Sequence, residues 1–269
     1  MSVTVARIVE KAQTLWPPHL ADEWDAPGLI SGHLPQEVTK VLLSVDVTDE
    51  VVDEAIELGC QLIIAHHPYL LRGVKTVATN TGKGALLSKA IVNNVAIFAA
   101  HTNADVVEDG VSDTFAKQLG LREIRPLMPT ESASIGHGRV GTLETPVSLG
   151  DLALALARLL PPTATGIRVA GDHTKPCRTI ALCGGAGDSF IAVAAGSGAD
   201  VYITSDLRHH PVQDSREAQP EMALIDVSHW ASESLWLQSA ASQLSAAFSD
   251  LDVVVSDVKT DPWNFTVTQ

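Results

Sequence analysis

Residues 41–68 read VLLSVDVTDEVVDEAIELGCQLIIAHHP. VLLSVDV (41–47) is a Val/Leu run of strand length, and QLIIA (61–65) is a second. Between them, DEVVDEAIELG (49–59) opens on acidic residues and closes on Gly59, which are the start and stop signals of a helix. Two strands joined through a helix pair in parallel. Outward from this unit, GALLSKAIV (84–92) predicts another helix and VAIFAA (95–100) a third strand. Upstream, Val5, Ile8, Val9, Ala12, Leu15 and Trp16 recur at helical spacing until Pro17-Pro18 stops the helix. The fold class is therefore α/β, with mixed, mostly parallel sheets flanked by helices.

The second half repeats this plan. Leu15-Trp16-Pro17-Pro18 is matched 144 positions later by Leu159-Leu160-Pro161-Pro162. Asp49 and Gly59 are matched 139 positions later by Asp188 and Gly198, and VAIFAAH (95–101) is matched 128 positions later by ALIDVSH (223–229). Three anchors in one order predict two similar α/β domains from an internal duplication. The break is expected near Arg122–His137, where Pro126, Pro129 and a Ser/Gly cluster interrupt both periodicities. This assigns 1–125 to the first domain, completed by 241–269, and 126–240 to the second.

The 269 residues are 45% hydrophobic and 19% charged, which excludes a disordered chain and a disulfide-dependent miniature. Eighteen basic against 32 acidic residues leave a formal charge of −14, a poor match to a nucleic-acid backbone. Cys60, Cys177 and Cys183 cannot all pair and lack zinc-knuckle spacing, so buried reduced thiols are expected. Arg7, Glu10 and Lys11 interrupt the first apolar pattern, leaving no signal-peptide core, and no apolar run approaches membrane-spanning length. A cytoplasmic protein without a membrane partner is expected.

Polar residues gather where the predicted strands end. Six of the ten histidines lie there: His66 and His67 after 61–65, His101 after 95–100, His209 and His210 after 201–204, and His229 after 223–227. In open parallel sheets, ligands bind at the carboxyl ends of strands. Imidazole and carboxylate together form the ligand set of zinc, iron, manganese and nickel. His101-x-x-x-Asp105 and His229-x-x-x-Glu233 each put a histidine and an acid on one helical face. One such element per half predicts a binuclear site between the halves, with Glu233 as a natural bridge. Adjacent His66 and His67 cannot face one way from a regular strand, but past a strand end the backbone can turn. Gly184-Gly185-Ala186-Gly187-Asp188 reads either as an anion cradle or as a tight turn with a capping Asp. Arg72, Lys75, Arg139 and Arg208 are candidate phosphate contacts. No Walker lysine and no nucleophile elbow are present.

His66-His67-Pro68, His101-Thr102-Asn103-Ala104-Asp105 and His229-x-x-x-Glu233 together resemble the signature of the GTP cyclohydrolase 1 type 2 homologues, the NIF-three-like family. Trp24-Asp25-x-x-Gly28-Leu29, Asp46-Val47-Thr48, Gly138-Arg139-Val140-Gly141, Cys183-Gly184-Gly185, Asp206-x-x-His209-His210 and Thr260-Asp261-Pro262 extend the likeness over nearly the whole chain. The resemblance implies a ring-shaped homohexamer and a dinuclear centre of two divalent ions, with zinc, manganese, iron and nickel left open. The implied ligands are His66, His67, Asp105, His229 and Glu233, with His101 outside the set as a candidate proton shuttle beside His210. Ala26, Ser228 and Trp263 depart from the family's usual Asn, Gly and Phe without removing a ligand. The implied activity is metal-dependent hydrolysis of a nucleotide-like heterocycle, such as opening of the GTP imidazole ring. The alternative is a non-enzymatic metal-binding or assembly protein.

Overall fold

A computed structural model describes residues 3–268. In chain order its first elements are α1 (Val5–Leu15), β1 (Gly28–Ser31), β2 (Lys40–Ser44), α2 (Asp49–Glu57), β3 (Leu62–Ala65), α3 (Gly82–Val92), β4 (Ala96–Ala99) and α4 (Thr102–Asp105). There follow α5 (Val111–Gln118), β5 (Arg122–Ser132), β6 (Ile135–Ser148), α6 (Leu149–Leu159), β7 (Arg168–Ala170) and β8 (Pro176–Ala186). The last are α7 (Ile191–Gly196), β9 (Val201–Ser205), α8 (His209–Ala218), β10 (Ala223–Val227), α9 (His229–Ala247) and β11 (Asp252–Val255). None of the helices among the described residues is long and apolar enough to cross a membrane. The chain forms two compact units, Met1–Ala104 with Leu237–Thr260, and Asp105–Trp236 with Asp261–Gln269.

In the first unit the strand order is β1-β4-β3-β2-β11. β4, β3, β2 and β11 run parallel, and β1 lies antiparallel on β4. Every residue of β3 is buried, as is β2 from Val41 to Ser44. That double-sided burial is why these strands read as unbroken apolar runs rather than alternating ones. α2 starts where Thr48 Oγ1 accepts the Val51 amide, and α3 starts where Thr81 Oγ1 accepts that of Gly84. α1 buries Val5, Ile8 and Ala12, and Trp16 behind them is wholly buried before the two prolines end the helix.

In the second unit the order is β5-β6-β8-β9-β10-β7. β8, β9 and β10 are parallel, and β5, β6 and β7 add antiparallel edges. Alternate residues of the parallel strands serve two cores. Ile180, Leu182, Ile203 and Ile225 pack with Leu149, Leu152 and Leu156 of α6 on one face. Ala181, Cys183, Tyr202 and Leu224 pack with Ile191 and Ala194 of α7 on the other. Each unit thus carries the same strand–helix–strand–helix–strand series, β2-α2-β3-α3-β4 and β8-α7-β9-α8-β10.

The structure differs from the sequence reading around residue 125. Phe115 and Ala116 of α5 belong to the second unit's core, so 105–125 pack there. Arg122–His137 is no linker but lies within the β5–β6 hairpin. Pro126 and Pro129 broke the strand pattern, yet β5 is an edge strand, where a missing N–H costs no ladder bond on its open side.

Arg139, a candidate phosphate contact, is buried at 1% exposure. Its Nε donates to Asp113 Oδ1 at 2.8 Å, and its other nitrogens donate to the carbonyls of Gly136, Gly138, Val106 and Val107. All of these groups lie in the second unit, so this guanidinium ties the β5–β6 hairpin to the approach of α5. Arg139→Met leaves buried Asp113 with Lys117 as its remaining ionic partner and takes the donor from four backbone carbonyls. Urea unfolding should show a loss of about 3–5 kcal/mol, against a change within about 0.5 kcal/mol for exposed Arg72→Met.

Candidate metal centre

Three of the candidate histidines lie in the first unit. β3 ends at Ala65, but its pairing with β2 continues: the His66 amide donates to Ser44 O at 3.0 Å and that of His67 to Val45 O at 2.8 Å. The two side chains then turn to different anchors. His66 is fully buried, and its Nδ1 donates to the Ala100 carbonyl at 2.8 Å. A carbonyl only accepts, so the lone pair of His66 sits on Nε2. His67 Nδ1 bonds Asp46 Oδ1 at 2.7 Å, and the other oxygen of Asp46 accepts from Thr260 Oγ1 at 2.5 Å. His101 follows β4, and its Nδ1 bonds Asp25 Oδ1 at 2.8 Å. The three ring centroids lie 5.1–5.4 Å apart. One donor nitrogen from each ring lies within 4.8 Å of those from the others, close enough to hold a cation.

Asp25 is the most constrained of these carboxylates, with no side-chain exposure. Besides His101 it accepts from the Ala26 amide at 2.7 Å, the Thr102 amide at 3.0 Å and Thr102 Oγ1 at 2.5 Å. Burial pushes its pKa up, but these donors outweigh burial and hold it at about 2. Asp25 is therefore ionised and fixes the His101 proton on Nδ1.

The other candidates lie in the second unit. α9 begins at Ser228, whose Oγ accepts the Ala231 amide at 3.2 Å and donates to Asp261 Oδ2 at 2.5 Å. Ser228 is thus a helix cap. His229 and Glu233 share one face of α9, and Nε2 to Oε1 is 2.9 Å. His229 Nδ1 bonds Asp206 Oδ2 at 2.8 Å. Asp206 reaches that position from a left-handed backbone (φ 57°) just past β9. Burial disfavours the His229 imidazolium, yet Glu233 and Asp206 overcome it and push its pKa up to about 11. A ring flanked by two carboxylates demands a positive charge, which a proton or a metal cation at Nε2 can supply.

Asp105, at the end of α4, is half-buried. The buried Cys183 thiol is pushed up to about 12, first by burial and then by the negative charges of Asp105 and Glu233. That thiol is inert packing rather than a ligand or nucleophile. Next to it, Gly185 (φ +68°) faces the carboxylate and the imidazole. A Cβ there would overlap Glu233 Oε1 and sit 3.3 Å from His229 Nε2. The amides of Gly184 and Gly185 already donate to Ser112 Oγ (3.3 Å) and Ser232 Oγ (3.0 Å), so the glycine turn is structural and not an anion cradle.

Some candidates fall elsewhere. His209 and His210 are exposed on the first turn of α8, their rings 5.2 Å apart, and neither joins a metal-capable group among the described residues. Arg208 pairs with Asp188. The sequence reading gave no role to Asp25, Asp46 or Asp206, which orient His101, His67 and His229. These partners lie 76, 21 and 23 residues away in the chain, so no local spacing reveals them. The signals were an Asp at a predicted strand end or entry loop and its place in a motif of the family resemblance, neither of which names the histidine it orients.

The residues fit a divalent cation by donor chemistry. They offer imidazole nitrogens with fixed tautomers, carboxylate oxygens, and a glycine that leaves room beside both. Comparison with known proteins gives the family. The pattern of Duf34/NIF3 (NGG1p interacting factor 3) matches residues 3–262. A Streptomyces coelicolor protein named GTP cyclohydrolase 1 type 2 homolog is 44% identical over 96% of this chain and 93% of its own length. A Clostridium perfringens protein of the same name is 32% identical over 96% and 98%. The Mycobacterium bovis counterpart, 32% identical, needs 372 alignment positions for 98% of this chain, so it carries inserted residues that this chain lacks. Among solved structures, a Bacillus cereus protein related to NIF3 superposes with TM-score 0.91 at 26% identity, covering 99% of this chain and 100% of that one. A Staphylococcus aureus hypothetical protein gives 0.91 at 28%, with the same coverage.

Two outcomes test this geometry. Asp25 sits at about 2 in the folded chain against its ordinary 3.8. Its ionised form therefore stabilises the fold above about pH 4, and that contribution vanishes as pH falls through about 2. The stability gap between wild type and Asp25→Asn should be about 2 kcal/mol at neutral pH and should narrow below pH 4 in urea titrations. Gly185→Ala should weaken divalent-metal affinity by about 10- to 100-fold in competition with a chromogenic chelator. Gly59→Ala, at the same φ of +68° but with open space around it, controls for backbone strain and should leave metal affinity unchanged.

Proposed function

The chain belongs to the Duf34/NIF3 family, and on that footing we propose that it binds two divalent cations and hydrolyses a nucleotide-like heterocycle. The residues that would hold the ions are His66, His67, Asp105, His229 and Glu233, and the carboxylate of Glu233 has the two oxygens that a shared ligand would need. Zinc, manganese, iron and nickel all suit this donor set. What supports the reading is the state of the imidazoles: His66, His67 and His229 each have Nδ1 committed to an acceptor, which leaves Nε2 as the nitrogen that would bind an ion. This is the outer-sphere pattern of metal-binding histidines. Cations bound by these residues would supply the activation of water that hydrolysis at neutral pH requires.

The chain's own residues supply the rest. Asp206 and Asp46 hold the rings of His229 and His67 so that neither can swing to another partner. Ionised Asp25 keeps the His101 proton on Nδ1, leaving Nε2 to take a proton from the reacting water and return it to the leaving nitrogen. His101, grouped with His66 and His67, serves better than His210. The name borne by the relatives directs the substrate choice to GTP, through hydrolytic opening of its imidazole ring with release of formate. The same resemblance makes a cytoplasmic homohexamer the assembly we propose.

Metal analysis of the purified chain should find two equivalents per subunit, and GTP should yield formate. Glu233→Ala should lose both ions and at least about 10³-fold in rate, in keeping with removal of a group that the chemistry requires. Formate release surviving in Glu233→Ala would overturn the mechanism. Two bound ions with no turnover of any nucleotide would make the chain a metal-binding or assembly protein.

A further inference from the structure

Trp16 and Trp236 are wholly buried, whereas Trp24 and Trp263 expose 61% and 65% of their surface, and of these two Trp24 is the one against a candidate histidine. An indole left in water forgoes the largest apolar burial any side chain can provide, so such placement calls for a reason. The backbone under Trp24 is fixed. The Asp22 amide donates to Thr102 Oγ1 at 2.9 Å, and the Asp25 amide donates to Asp22 O at 3.0 Å. Asp25 itself is locked by four donors from Ala26, His101 and Thr102. The indole meets His101 in a T-shaped contact, centroids 5.7 Å apart and planes at 82°. His101 is in turn 5.2 Å from His66 and 5.4 Å from His67. A rigidly mounted, largely exposed aromatic surface therefore stands one ring away from three imidazoles.

We propose that Trp24 is the stacking platform for the planar heterocycle of the substrate, a specificity residue that acts by contact with the base. This rests on the hydrolase reading of the same site. Charge makes the case stronger. A chain at −14 offers a polyphosphate little attraction of its own beyond the cations of the site, so telling a nucleotide from a simple phosphate falls to contacts with the base. Every base has a π-face, and stacking on an indole holds it regardless of its charge. Stacking also sets the ring plane beside the groups that would attack it, an orientation that phosphate contacts alone cannot impose.

The test uses the full chain, metal-loaded and chelator-treated, with guanosine 5′-monophosphate and ribose 5-phosphate as calorimetric probes. Trp24→Ala should weaken the guanosine probe by about 5- to 150-fold and leave ribose 5-phosphate unchanged. Trp24→Phe should restore most of the loss. Metal content should match wild type in both variants, so failure of the metal reading would show in the metal analysis and not here. Guanosine affinity within about twofold of wild type in Trp24→Ala would overturn the proposal. So would equal loss for both probes, or a wild type that binds ribose 5-phosphate as tightly as the nucleotide. A change of assembly size in sedimentation without a change in base affinity would mark Trp24 as a subunit contact and would also overturn it.

Discussion

An imidazole ring has two nitrogens, and whichever one is tied down decides what the other can do. His66, His67, His101 and His229 are all tied at Nδ1, to the Ala100 carbonyl and to the carboxylates of Asp46, Asp25 and Asp206, at 2.7–2.8 Å. That single constraint fixes each ring's orientation and leaves Nε2 as the nitrogen available to another partner. Without it, four histidines near strand ends would be a collection of mobile side chains. With it they become preorganised donors, and their orientation is fixed in the folding of the chain.

The sheet makes the constraint possible. Parallel strands end at one edge, so residues that follow β3 and β4 emerge together although they are more than thirty positions apart in the chain. The His66 and His67 amides extend the ladder one step past the strand, and the side chains then diverge to separate anchors. β10 ends at Val227 and β4 at Ala99, 128 positions apart, and His229 and His101 follow each at the same distance. The duplicated unit thus delivers a histidine and an acid four residues apart twice. The two copies treat them differently: Glu233 lies 2.9 Å from His229 on a long helix, while Asp105 ends the four-residue α4.

The electrostatics follow from this crowding of acids. Asp25, buried, stays ionised because four donors converge on it. Asp206 and Glu233 enclose His229 and raise its affinity for positive charge. Cys183, packed below, is driven out of reactivity by the same negative field and its own burial. Gly185 is the steric counterpart, since any Cβ would intrude on the carboxylate. Arg139 shows the opposite outcome for a charge. It resembled an anion contact in sequence, but five acceptors in the second unit consume its donors.

Periodicity and composition were sufficient for the α/β class, for most elements and for the repeat, because strand and helix patterns are local and β2, β3 and β4 are apolar on both faces. The His-x-x-x-acid pairs were legible for the same reason, as four-residue spacing is a property of one helix. The β5–β6 hairpin was not legible, because Pro126 and Pro129 are tolerated only at an edge, and an edge is defined by the strand that fails to pair there. The same holds for the roles of Asp25, Asp46 and Asp206, whose partners lie 21–76 residues away. The residue types were readable from the chain, but which nitrogen each histidine offers was decided by tertiary hydrogen bonds, because an acceptor brought in by a different strand leaves no trace in local spacing.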